Sequence, residues 1–159
     1  MPSIEDIVLV TATRSDATFL GRIQREAFDS ESARCGRAGP GGPEGYDTEK
    51  GMLRLMTVSD VLRIDHQGMT VGGVAVTNSG TRCRLVRIFV DPGNQGRGIG
   101  RLAFDRLLER YRDAAVWELD TPSWSSRKHR FYESLGFVKV GETDEHERGF
   151  RLFLYERAV

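Results

Sequence analysis

The stretch Val90-Asp91-Pro92-Gly93-Asn94-Gln95-Gly96-Arg97-Gly98-Ile99-Gly100-Arg101 decides how this chain is read. Three glycines alternate at the junction between a strand pattern, Cys83–Val90, and a helical pattern, Gly98–Arg112, with Leu102, Leu107 and Leu108 inward. Missing side chains let backbone N–H groups approach a ligand closely, and a helix N-terminus adds partial positive charge. Together these predict a phosphate cradle, to which Arg97 and Arg101 add full charges. The alternative is a glycine-rich turn that only starts a helix. A Walker loop is excluded, because no Gly-Lys-Ser/Thr follows. Gly98-Ile99-Gly100-Arg101-Leu102-Ala103 fits the dinucleotide pattern G-x-G-x-x-A, with Asp120 downstream. However, Asp91–Arg97 separates those glycines from the strand, and the 39 residues after Asp120 are too few for the rest of that fold.

Working outward, Ile7–Thr13 reads as a strand. Asp16 is placed to cap a helix whose apolar positions are Phe19, Leu20, Ile23, Ala27 and Phe28. Ser30–Asp47, rich in glycine and proline, reads as irregular, and a long loop of this kind is usually functional or disordered. A second helix follows at Thr48–Val58. Val61–Asp65 and Thr70–Thr77 form a predicted hairpin around His66-Gln67-Gly68. Beyond the glycine loop come a strand at Val116–Thr121, a helix at Trp124–Leu135 stopped by Gly136, and strands at Phe137–Gly141 and Phe150–Tyr155. The order β-α-α-β-β-β-α-β-α-β-β predicts an α/β (mixed α+β) fold, one mixed sheet with helices on its faces. Strands 83–90 and 116–121 should form a right-handed parallel crossover. The 159 residues read as a single domain without internal repeats.

Composition narrows the classes. Lys+Arg and Asp+Glu both number 23, so the net charge is zero, and 39% of residues are hydrophobic. These values fit a soluble globular protein and disfavour a generally basic nucleic-acid binder. No apolar run reaches membrane-spanning length, and the first ten residues, with Glu5 and Asp6, lack a basic leader pattern. Cys35 and Cys83 are too few for a disulfide framework or a cysteine-rich zinc site, so a reducing, cytoplasmic compartment is expected. The neutral total hides an asymmetry: residues 81–135 hold 11 Lys+Arg against 7 Asp+Glu. A local basic surplus suits an anionic ligand.

Gln95-Gly96-Arg97-Gly98-Ile99-Gly100 resembles the Q/R-x-x-G-x-G/A motif of the GNAT N-acetyltransferase superfamily. Arg87-Ile88-Phe89-Val90-Asp91-Pro92 is similar to the strand leading into it. Leu119–Trp124 and Phe131-Tyr132-Glu133-Ser134-Leu135-Gly136-Phe137 resemble the second half-site. The resemblance implies a GNAT fold, one bent mixed sheet splayed between its fourth and fifth strands, with acetyl-CoA in the opening. It implies that pantetheine pairs with Ile88, Phe89 and Val90. It places pyrophosphate on Gln95, Gly96, Arg97, Gly98, Ile99, Gly100 and Arg101. The Val90 N–H becomes the oxyanion donor and Tyr132 the general acid. The family often has an Asn where this chain has Ser125, whose hydroxyl can still bond pantetheine. Residues 81–90 contain no carboxylate, so the general base stays unassigned.

His66, His129 and His146 are too far apart for a metal site, and His66, in a hairpin turn, should be exposed. Arg34 and Arg37 flank Cys35 and could lower its thiol pKa. The acceptor site implied by the resemblance is built from Ser30–Asp47 and Gly141–Gly149. Glu31, Glu44, Tyr46, Asp47, Glu142, Asp144, Glu145 and Glu147 there could form a rim for a cationic amine or simply be solvated. The function expected is acetyl transfer from acetyl-CoA to a primary amine, of a small molecule or a peptide N-terminus, in a ternary complex. No metal, nucleic acid or membrane is involved, and a homodimer is compatible with the family. The alternative is a non-catalytic acyl-CoA-binding or sensing module. A nucleic-acid surface at Arg82, Arg84, Arg87 and Arg127-Lys128-His129-Arg130 is the weaker third reading.

Overall fold

The structure, a computed structural model, describes residues 6–145 and 149–159. Glu5, His146 and Glu147 lie outside the described residues. Seven strands form one sheet: β1 (Ile7–Thr11), β2 (Asp60–His66), β3 (Met69–Asn78), β4 (Arg82–Val90), β5 (Val116–Pro122), β6 (Val138–Glu142) and β7 (Leu152–Ala158). Their spatial order is β1-β2-β3-β4-β5-β7-β6. Every neighbouring pair is antiparallel except β4–β5, which is parallel. The helices are α1 (Ala17–Arg34), α2 (Glu49–Val58), α3 (Ile99–Arg110) and α4 (Ser126–Ser134). This is the predicted element order.

Alternation along the strands sends side chains to opposite faces. Val61 and Ala75 join Leu20, Ile23, Phe28 and Met52 under α1 and α2. Leu62, Val74 and Leu85 join Phe104, Leu107, Trp117 and Tyr132 under α3 and α4. Two details of β4 shape the molecule. Its pairing with β5 covers only Arg82↔Val116, Cys83↔Trp117 and Arg84↔Glu118, after which the strands diverge. Against β3 its register slips, with Leu85 opposite Val76 but Arg87 opposite Ala75. Val86 is thus an extra residue, and such a bulge re-aims the side chains beyond it. Cys83 and Leu85 pack on the α3–α4 side, whereas Phe89 packs with α1. Without the extra residue all three odd-numbered side chains would share a face.

Three expectations change. Helix α1 continues through Ser30 to Arg34, because Ser32 is buried and Glu31 finds partners on α4. It stops where Gly36 takes a left-handed φ of 71°. Asp16 precedes α1 but does not cap it; its carboxylate accepts from the Thr13 N–H (2.8 Å) and meets Arg63. His66 is buried rather than exposed, since its position at the end of β2 pairs it with Met69. Among the described residues, no helix is long and apolar enough to cross a membrane.

Candidate active site

Two cavities open where β4 and β5 diverge. The larger, about 330 Å³, is lined by Ile88, Phe89, Val90, Gln95, Gly96, Gly98, Ile99, Gly100, Arg101 and Tyr132 among others. The smaller, about 160 Å³, lies between the α1–α2 loop, the bulged part of β4, the end of β5 and the residues before β7. Phe28, Ile88, Lys128 and Tyr132 line both, so the cavities meet at these side chains.

The larger cavity is framed mostly by backbone. Gly98 sits just before α3 with a left-handed φ of 81°, a conformation costly for any residue with a Cβ. Leu102 makes the first turn's bond to the Gly98 carbonyl (3.1 Å). The N–H groups of Ile99, Gly100 and Arg101 therefore have no partner within the helix. On β4, the Asp91 N–H donates to the Val71 carbonyl (2.7 Å). Antiparallel pairs alternate between bonded and non-bonded positions, so Ile88 and Val90, opposite Val74 and Gly72, are non-bonded. Their N–H and C=O groups point away from β3 toward the divergence. Phe89 is in a bonded position opposite Gly73, so its backbone faces β3 and its ring lines the cavity. Gln95 Nε2 donates to the Val90 carbonyl (2.9 Å), while Arg34 donates to Gln95 Oε1 (3.0 Å).

Arg97 and Ser125 stay out of this lining. Arg97 is exposed and donates to Asn94 Oδ1 (2.9 Å). Ser125 is fully buried, and its hydroxyl donates to Glu31 Oε1 (3.2 Å). Arg101 borders the cavity, yet its guanidinium is tied to the Ser134 carbonyl and hydroxyl at the end of α4.

Tyr132 is buried among Phe131, Phe137 and Tyr155. Burial, then the charges of Asp120 and Glu31, pushes its phenol well above the ordinary value of 10. Lys128, one turn earlier on α4, shares its face. Its ammonium lies 4.2 Å from the centre of the Phe28 ring. Burial pushes its pKa down to about 8, against a partial lift from Glu31. Lys128 is a cavity residue that the sequence reading does not single out, although its spacing of four from Tyr132 is a signal; Glu31, expected at the acceptor rim, lines the larger cavity instead. Cys35 reverses its expectation: burial and Glu31 raise the thiol pKa, and Sγ contacts Glu31 Oε1 at 3.7 Å. The basic cluster is likewise not one surface, since Arg82 and Arg84 pair with Glu118, Glu156 and Asp120 while Arg87 and Lys128 turn inward.

The family described as "Acetyltransferase (GNAT) domain" matches residues 58–139, half of the chain. The chain belongs to the GNAT acetyltransferase family. A GNAT-like sheet is also the architecture of its structural neighbours. The ribosomal-protein-S18-alanine N-acetyltransferase of Escherichia coli superposes with TM-score 0.75 at 18% identity, covering 96% of this chain and 94% of that one. The PaiA N-acetyltransferase of Thermoplasma acidophilum, in complex with coenzyme A, gives TM-score 0.70 at 15% identity, covering 96% and 99%. Among curated relatives, an uncharacterised Bacillus subtilis protein, YrkN, is 35% identical over 89 residues, 54% of this chain. The chain spans about half the length of that relative, 48%. These matches bear out the predicted fold, a mixed sheet opening between its fourth and fifth strands.

Proposed function

We propose that this GNAT protein is an acetyl-CoA-dependent N-acetyltransferase that moves an acetyl group to a primary amine by direct transfer in a ternary complex. The observation that carries the reading is the meeting of two cavities at Tyr132, Lys128, Ile88 and Phe28. A cofactor-only module needs one cavity; a transferase needs a second that reaches the same centre. The larger cavity fits acetyl-CoA: a helix start held by a left-handed glycine offers unpaired N–H groups to pyrophosphate, and outward β4 backbone offers a ladder to pantetheine. The neighbour in complex with coenzyme A supports that assignment. Acetyl-CoA supplies the thioester.

Within this proposal, the residues of one domain divide the work. The outward Val90 N–H stabilises negative charge developing on the acetyl oxygen. Tyr132 donates a hydrogen bond to the departing sulfur. Its raised pKa keeps the phenol protonated at neutral pH and favours bond donation over complete proton transfer. The proton released by the attacking amine balances the one taken up by the thiolate, so no net proton is consumed. Lys128, positively charged below pH 8, disfavours an ammonium beside it and so favours the nucleophilic free amine. Arg97 belongs to the glycine loop that would hold the pyrophosphate, and Ser125 supports the site through its hydrogen bond to Glu31. The two free cysteines suit a cytoplasmic setting. An amine-panel assay following thiol release tests the reading. Amine-dependent release is expected; binding of acetyl-CoA without turnover of any amine would favour the sensing module.

A further inference from the structure

Of the two readings of the acidic residues, a rim for a cationic amine or solvated loops, the charges around the smaller cavity do not fit the rim. Among the described residues, the cavity's charged lining is Arg37, Arg87, Lys128 and Asp120. Asp120 pairs with Arg84 and also acts on Arg87, so three cations face one carboxylate that a fourth cation already engages. The described acidic residues of that rim are elsewhere. Glu31 lines the larger cavity, Glu142 pairs with Lys139 (2.6 Å), and Glu44, Asp47, Asp144 and Glu145 are not in the lining.

The placement of Arg87 follows from the Val86 bulge. The slip in register turns residue 87 to the α1 side, where its guanidinium donates to Gln24 Oε1 (3.0 Å). Gln24 is 1% exposed and its amide is fixed in turn by the Tyr46 carbonyl (2.8 Å). A neutral amide orients Arg87 without discharging it. Among the described residues, no carboxylate comes within ion-pair distance of Arg87 or Arg37.

Three residues of the lining also carry a polar atom that is buried and unbonded. Arg37 Nη1, Trp124 Nε1 and Thr121 Oγ1 have no hydrogen-bond partner among the described residues. Arg37 lies 4.4 Å over the Trp124 ring and 5.2 Å over Phe150. Two of these atoms can only donate. A half-buried guanidinium with an unpaired donor carries a free-energy cost, which an anion against Arg37 would reduce.

We propose that the amine acceptor carries a carboxylate, held by Arg87 and Arg37. Its amine end reaches the shared wall at Tyr132 and Ile88. The guanidinium fork matches the two oxygens of a carboxylate, and the volume of about 160 Å³ suits a small amino acid. This rests on the acetyltransferase reading above and names its substrate class.

The test compares acceptors matched in length, with thiol release as readout: γ-aminobutyrate, butylamine and 1,4-diaminobutane, beside glycine, β-alanine and glutamate. Turnover is expected to concentrate on carboxylate-bearing amines. Arg87→Met should lower kcat/KM for the best of them by roughly 10–100-fold while acetyl-CoA affinity holds. Arg37→Met serves the same purpose should Arg87→Met fail to bind acetyl-CoA. Equal or better turnover of butylamine or the diamine overturns the substrate class and leaves acetyl transfer standing. A carboxylate preference that survives both substitutions overturns the assigned residues. Acetyl-CoA binding with no amine of any class acetylated overturns the acetyltransferase reading together with this one.

Discussion

The two cavities are neighbours built by different means. The cofactor side is backbone: the outward edge of β4, two left-handed glycines and the first turn of α3, all within residues 88–101. The acceptor side is side chains brought from four places, Arg37 in the α1–α2 loop, Arg87 on β4, Thr121 and Trp124 at and after the end of β5, and Phe150 before β7. A backbone site tolerates variation in its side chains but not in its glycines. A side-chain site is tuned by single substitutions and says little about the fold. The contrast predicts that changes on one side leave the other nearly intact.

The largest effect is expected at Gly98. Gly98→Glu puts a side chain on a residue at φ 81° and negative charge where the pyrophosphate is proposed to sit. Calorimetry should show acetyl-CoA binding abolished in a folded protein. Unchanged affinity would remove the loop from the cofactor site and break the comparison at its better-defined end.

Next comes the α1–α2 loop. Gly41 rests against the Phe28 backbone so closely that a Cβ would sit 2.2 Å from its carbonyl oxygen. Its N–H donates to Tyr46 Oη (3.1 Å), whose hydroxyl bonds Asp29. Deleting Arg37–Gly42 removes these ties together with one wall of the acceptor cavity. The KM for the amine should rise roughly 10–100-fold by loss of the Arg37 contacts, with acetyl-CoA affinity nearly constant. Equal weakening of both ligands would merge the two sides into one.

The smallest effect concerns Lys128. Burial holds it at about 8 when folded, against 10.5 ordinarily. The folded state thus binds fewer protons between those values, and stability rises with pH across the window. Below pH 8 the cost of burying the charge is fully present; above 10.5 it is gone. Lys128→Met, which keeps the stem, should melt higher than the parent at pH 7, with the gap closing from pH 8 to 10.5. A gap independent of pH would mean the ammonium is solvated.

The same contrast explains which parts were legible in the sequence. Strand, glycine loop and helix succeed one another in the chain, so the cofactor side could be read locally. So could the element order, because each hydrophobic period and each turn is a local signal. The acceptor cavity could not. Arg87 reaches it through one extra residue at Val86, and a bulge leaves no mark in a run such as Arg84-Leu85-Val86-Arg87. Arg37 reaches it because α1 runs to Arg34, a turn and a half past Phe28, into a segment whose glycines suggested only irregularity. Of the acidic residues counted in those segments, Glu31, Glu44, Asp47, Glu142, Asp144 and Glu145 do not line the smaller cavity, and composition does not encode which side chains do.

The central claim is that acetyl transfer occurs where the two cavities join, at Tyr132. Tyr132→Phe keeps the ring, and with it the contacts to Phe131, Phe137 and Tyr155. Steady-state kinetics with a good acceptor, run beside a melting curve on the same variant, tests it most directly. kcat and kcat/KM should fall together by about 10²–10³-fold while melting temperature and acetyl-CoA affinity stay near the parent's. Normal kcat in a protein of lowered melting temperature would make Tyr132 a core residue and contradict the claim.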